Sequence, residues 1–177
     1  YAQVAEDQGH DWIEYNLEGQ FVPDILPSGH EANDNHVEAF TVAADVAHDH
    51  GLRISAAPIR NVIENNGPAI ARVVDIIHIQ MQKLQDVDPS QMAAALNTII
   101  PPLRTANPDI EVQIQFSTSW NPAPGLSLLD TFKRFANTAF SVPLNARPNA
   151  IGWWVQGDAN MDIVGQWLTW YNATYRS

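Results

Sequence analysis

The stretch "HDWIEYNLEG", residues 10–19, sets Glu14, Asn16 and Glu18 at alternate positions between Ile13, Tyr15 and Leu17. A β-strand has a side-chain period of two, so the polar three share one face and the apolar three share the other. Two carboxyls and an amide in a row are costly to bury unless they bond one another or meet a ligand. Crowding of acids also raises the pKa of one of them, which keeps a carboxylic acid protonated near neutral pH and able to donate a proton. Glu18 stands last in the row, toward the C-terminal end of the strand, and is the candidate general acid/base. The Asn16 amide and the Glu14 carboxyl back it. A competing reading of the same residues is a polar strand face satisfied by neighbouring Gln and His side chains, in a protein that binds sugar or nothing.

Elements able to hold such a row recur along the chain. The strand-like runs "DWIEYNLEG", "LRISAAP", "DIIHIQMQKL", "IEVQIQFSTSW" and "AIGWWVQGD" alternate with runs at helical spacing. These are "HVEAFTVAADVAHDHG", a segment through "PAIARVV", "DPSQMAAALNTIIPPLRTANPD", "SLLDTFKRFANTAF" and "MDIVGQWLTWY". The order predicts an α/β fold of about five βα units with a parallel sheet. Gly51 suits a helix C-cap, Asp88 an N-cap, and Pro89 the first helical position, while Pro101-Pro102 predict a kink or break. The opening "YAQVAEDQG" reads as the last turns of a helix closing at Gly9.

The strands divide as the first one does. Val112, Ile114 and Phe116 stand opposite Glu111, Gln113, Gln115 and Ser117, and Ile77, Ile79 and Met81 opposite His78, Gln80 and Gln82. In a doubly wound sheet, covered on both faces, the strands would be almost continuously apolar. A polar inner face suits a (β/α)8 barrel of the TIM type, with its ligand site at the C-terminal mouth. A complete barrel has about 250 residues, so this chain is expected to be a single barrel domain over 1–177 that lacks roughly three N-terminal units. The alternative is a complete five-stranded α/β domain.

On these residues the chain resembles a known family. "DWIEYNLE" is similar to the D-x-x-D-x-D-x-E signature on the fourth barrel strand of family 18 glycoside hydrolases, the chitinase and endo-N-acetylglucosaminidase group. Asp11 and Glu18 match, while Glu14 and Asn16 replace the two inner aspartates. "DIIHIQMQKL" resembles that family's sixth strand, with Gln80 and Gln82 in place of a sugar-contacting Met-x-Tyr pair. "IGWWVQGD" resembles its eighth strand, which ends in the tryptophan under the central sugar, here Trp153 or Trp154. The five strands would then be barrel strands four to eight. The resemblance implies a substrate-assisted mechanism: Glu18 protonates the leaving oxygen, the 2-acetamido group of the substrate attacks the anomeric carbon, and the residue at Asn16 orients that group. An amide there cannot stabilise an oxazolinium ion by charge. The related family 85 endo-N-acetylglucosaminidases look alike at this strand and use an Asn-x-Glu pair, which "NLE" reproduces. Asp11, Gln80, Gln82, Gln115, Trp153 and Trp154 are the expected substrate-binding residues.

Composition narrows the partners. A net charge of −11 gives no electrostatic footprint for nucleic acid or an anionic membrane, and a neutral or cationic partner suits it better. The absence of cysteine excludes disulfides, thiolate zinc sites and thiol nucleophiles. No apolar run reaches membrane-spanning length, and the chain carries no signal-peptide pattern at its start. His30 and His36 lie six residues apart in a loop, and His48 and His50 point different ways from a helix end, so no metal is expected. No nucleotide or phosphate motif is present, so no cofactor is expected either. The expected ligand is an oligosaccharide or polysaccharide. Few lysines and arginines with many Gln and Asn suit a secreted or cell-surface protein. Two other readings stand beside the enzyme: a non-catalytic carbohydrate-binding or structural barrel, and an assembling protein whose missing strands come from another chain.

Overall fold

The computed structural model of the protein describes residues 1–17, 35–119, 121–155 and 161–175. A short helix α1 (Ala2–Asp7) precedes five βα units. These are β1 (Trp12–Tyr15) with α2 (His36–Asp49), β2 (Arg53–Ala56) with α3 (Arg60–Ala71), β3 (Ile76–Gln80) with α4 (Pro89–Ala106), β4 (Glu111–Ser117) with α5 (Leu128–Ser141), and β5 (Ala150–Trp154) with α6 (Met161–Tyr175). The strands pair in chain order, β1-β2-β3-β4-β5, and every pairing is parallel. Each helix from α2 to α6 packs on the next. The sheet curls with its helices outside, as half of a (β/α) barrel.

Register decides which residues share a face. Glu14 pairs with Ser55, Ser55 with Ile76, His78 with Gln113, Gln80 with Gln115, Gln115 with Gly152 and Ser117 with Trp154. The inner, concave face is therefore the polar one. The opposite set, Ile54, Ile77, Ile79, Val112, Ile114 and Phe116, is fully buried under the helices. Each such side chain contributes roughly 1.5–3 kcal/mol on burial. Phe116 anchors the C-terminal half of this layer through ring contacts with Phe132, Phe135 and Trp153.

Helix ends follow the local chemistry. Asp88 caps α4 by accepting from the Ser90 N–H at 2.8 Å, with Pro89 in the first turn. The chain leaves α2 through Gly51 at φ 69°, a conformation that suits glycine. The expected break at Pro101-Pro102 does not occur, and α4 runs unbroken to Ala106. A helical proline frees the carbonyl four residues earlier. Here those carbonyls belong to Asn97 and Thr98, both exposed, so water can satisfy them, while Leu96, Ile99, Ile100 and Leu103 hold both halves against the core.

Helices α3 and α4 approach closely at Gly67. A Cβ at Gly67 would lie 2.8 Å from Leu103 Cδ2, whereas one at Gly165 in α6 would meet nothing within 4 Å. Gly67→Val is expected to destabilise the fold by about 1–3 kcal/mol through overpacking. Gly165→Ala is expected to stabilise it by about 0.5–1 kcal/mol. Urea denaturation midpoints of the two variants check both signs.

Candidate functional site

A chain of side chains crosses the concave face from β2 to β1. Arg53 Nη2 donates to Glu111 Oε2 at 3.0 Å, and Gln113 Nε2 donates to Glu111 Oε1 at 2.8 Å. With its N–H2 committed to that carboxylate, Gln113 turns Oε1 toward His78 Nε2, 2.6 Å away. Across the ring, His78 Nδ1 lies 2.5 Å from Glu14 Oε2. This second contact is not aligned as a hydrogen bond and acts as a charge pair. Both ring nitrogens thus face oxygens, an arrangement that favours the doubly protonated imidazolium. Burial of the ring, only 7% exposed, works against its charge. The Glu14 carboxylate, the Gln113 oxygen and the Glu111 carboxylate outweigh burial, and the pKa of His78 is raised above its ordinary 6.5.

At the C-terminal ends of β3, β4 and β5 the same face hollows into a cleft of about 420 Å³, within the size range of small-molecule sites. Gln80, Gln82, Gln115, Ser117, Ser119 and Trp154 line it, with Ile59, Arg60, Lys83 and Leu84 on the side of α3 and the 3-10 turn at Gln82–Leu84. Trp154 is 51% exposed and offers an apolar ring face beside these amides and hydroxyls. Gln82 Nε2 donates to Gln115 Oε1 at 2.9 Å. The pair thereby keeps one carbonyl and one N–H2 for a ligand.

Below the cleft, the fully buried Gln85 clasps the end of β4. Its Nε2 donates to the Ser117 carbonyl at 3.0 Å, and its Oε1 accepts from the Ser117 N–H at 2.6 Å. A side-chain amide here makes the bonds that a neighbouring strand's peptide group would make. Ser117 in turn holds its hydroxyl 2.7 Å from that of Ser119.

The structure brings together four of the sequence-predicted residues, Gln80, Gln82, Gln115 and Trp154. Trp153 faces the other way, its ring centroid 4.3 Å from Phe132 and 4.8 Å from Trp167, so of the two tryptophans only Trp154 stands at the mouth. Glu14 is on the concave face, tied to His78. Asn16 follows directly after β1, and its Oδ1 is buried with no hydrogen-bond partner among the described residues. Asp11 lies exposed ahead of β1, at the opposite end of the strand from Asn16. Glu18 and the loop with His30 lie outside the described residues. His48 pairs with Asp75 and His50 with Glu6, at 2.9 and 2.8 Å, so the two serve separate contacts. Sequence reasoning passed over Arg60, Lys83, Ser119 and Gln85. The available signal was position, since Arg60 and Lys83 come within a few residues of the C-terminal ends of β2 and β3, where a barrel builds its site.

No protein-family model matches the chain, and no curated relative does. Among solved structures it is similar to a truncated form of 3-deoxy-D-arabino-heptulosonate 7-phosphate synthase from Thermotoga maritima, at 13% identity over 85% of this chain and 43% of that one, with a TM-score of 0.47. It is also similar to a family 39 glycoside hydrolase from the gut symbiont Bacteroides cellulosilyticus WH2, at 12% identity over 98% of this chain and 50% of that one, with a TM-score of 0.43. The chain thus spans half or less of the length of either. No described helix is long and apolar enough to cross a membrane.

Two outcomes follow from the site geometry. Because the pKa of His78 is raised on folding, its stabilisation is complete below about 6.5 and is lost as pH rises through the raised value. The urea midpoint of the wild type is expected to fall over that window relative to His78→Gln, and parallel pH profiles of the two would refute the protonated ring. Gln85→Leu strips a buried N–H and carbonyl of their partners. It is expected to cost roughly 2–4 kcal/mol, measured by thermal unfolding.

Proposed function

We propose that the protein is a glycoside hydrolase-like barrel whose C-terminal mouth binds N-acetylglucosamine-containing oligosaccharides and cleaves them by substrate-assisted acid/base chemistry. The observation that carries this reading is the cleft itself, an exposed tryptophan set among three glutamine side chains and two serine hydroxyls. An indole face suits the apolar face of a sugar ring, and amides suit its hydroxyls in either direction. The buried, unpartnered Oδ1 of Asn16 adds support. It is suited to accept from the N–H of a 2-acetamido group and so hold that group's carbonyl oxygen toward the anomeric carbon. Glu18 donates its proton to the leaving oxygen in this scheme. An extracellular setting belongs to the same proposal.

One observation favours a second reading, a barrel that binds sugar without cutting it. Glu14 is neutralised by His78 at 2.5 Å, which leaves it little power to raise the pKa of a neighbouring Glu18 by like charge.

Product release from chitin oligosaccharides and high-mannose N-glycans, followed by mass spectrometry, tests the two. The enzyme reading expects cleavage by the wild type and a loss of about 10²–10⁴-fold in Glu18→Gln, with an unchanged melting temperature. Sugar binding with no product from either protein would select the second reading. Trp154→Ala is expected to weaken oligosaccharide binding by about tenfold in both cases.

A further inference from the structure

The cleft carries charge that the neutral-sugar reading does not use. Lys83 is exposed on its rim and makes no ion pair or hydrogen bond among the described residues. Arg60, the first residue of α3, lines the same cleft. It gives only Nε to Glu64 Oε1, at 2.7 Å, which leaves both terminal nitrogens of the guanidinium as donors. Glu64 lies in the adjoining groove between α3 and α4, and no described carboxylate lines the cleft. The chain holds 9 basic residues against 20 acidic ones, so an unpaired Lys83 beside an Arg60 whose charge is only partly met by Glu64 is a local departure from the charge of the whole molecule. The start of α3 adds positive partial charge of the same sign, since its first turn has neither a side-chain cap nor an acidic residue.

We propose that the cleft selects an oligosaccharide bearing a carboxylate, with Lys83 and Arg60 pairing the charge while Trp154 and the glutamines hold the sugar. This rests on the oligosaccharide reading above and narrows its substrate class. A carboxylate accepts only, and Arg60, Lys83 and the N–H2 left over from the Gln82–Gln115 pair all donate. The overall negative charge opposes a long polyanion, but salt screens charges beyond about 8 Å at physiological ionic strength. The expected ligand is therefore short, with its acidic residue placed in the cleft.

The matched probes are a tetrasaccharide of alternating glucuronate and N-acetylglucosamine and its methyl ester, compared by titration calorimetry with neutral and with sulfated chitotetraose. The acid is expected to bind roughly tenfold more tightly than its ester, as two exposed charge contacts of ordinary strength would give, and added salt should shrink the ratio. In the Lys83→Gln/Arg60→Gln double variant the acid-to-ester ratio should fall to about one, while Lys83→Arg keeps it. Equal binding of acid and ester, or a preference that survives the double variant, overturns the proposal. Sulfated chitotetraose binding as tightly as the acid overturns the assignment to a carboxylate. If neutral chitotetraose binds and the acid has no advantage, the charge proposal fails and the oligosaccharide reading stands. If none of the probes binds, both fail.

Discussion

A β-strand offers two faces, and in this protein only one of them is apolar. The helices bury the set that includes Ile54, Ile77, Ile114 and Phe116, which leaves Glu14, His78, Gln80, Gln113 and Gln115 on the concave side. A slip of one residue in β3 or β4 would place amides and the Glu111 carboxyl under the helices and isoleucines in the concavity. Such a slip exchanges satisfied polar groups for orphaned ones, at a cost of kcal/mol per group. The register of the whole sheet is held by that asymmetry, and the positions of the site residues follow from the register.

The polar face meets its own constraint through linkage across strands. Arg53, Glu111, Gln113 and His78 form a series of hydrogen-bond donors and acceptors across β2, β4 and β3, and the charge pair of His78 with Glu14 carries it on to β1. Each member constrains the orientation of the next, so the amide of Gln113 has one sense and the ring of His78 is biased toward its protonated form. Toward the mouth this internal satisfaction gives out. The Gln82–Gln115 pair leaves a donor and an acceptor over, and Trp154 is half bare. The concave face is thus closed to ligands in its lower half and open to them at its C-terminal rim.

Much of this was legible in the chain because alternation and helical spacing are strong, redundant signals. Five strands and their helices stand in the order the pattern gives, and the two faces of β4 contain the residues expected, whereas β1 ends at Tyr15 and β3 at Gln80, so that Asn16, Met81 and Gln82 lie just past the strands expected to contain them. The prolines at 101–102 do not break the helix, because that effect depends on whether the freed carbonyls meet water, and that is a property of the packed helix. Trp153 and Trp154 look alike as neighbours, and only the ladder through Ser117 assigns one to each side. The partner of Glu14 was invisible for a related reason, since His78 lies 64 positions away and only the register brings the two together. Gln85 gave no signal at all: a single glutamine after a strand has no periodicity, and its role exists only in three dimensions.

The Gln85 clasp also makes two separate pieces of chain behave as one mechanical part. The turn after β3 carries Gln82 and Lys83 into the cleft, while β4 carries Gln115 and Ser117, and the buried amide bolts the first to the last residue of the second. A force applied by a bound molecule to the turn is thereby transmitted to the adjacent strand. The mouth accordingly has a stiff wall on the β3–β4 side, and its adaptability to ligands of different shape is left to the side chains that stand on that wall.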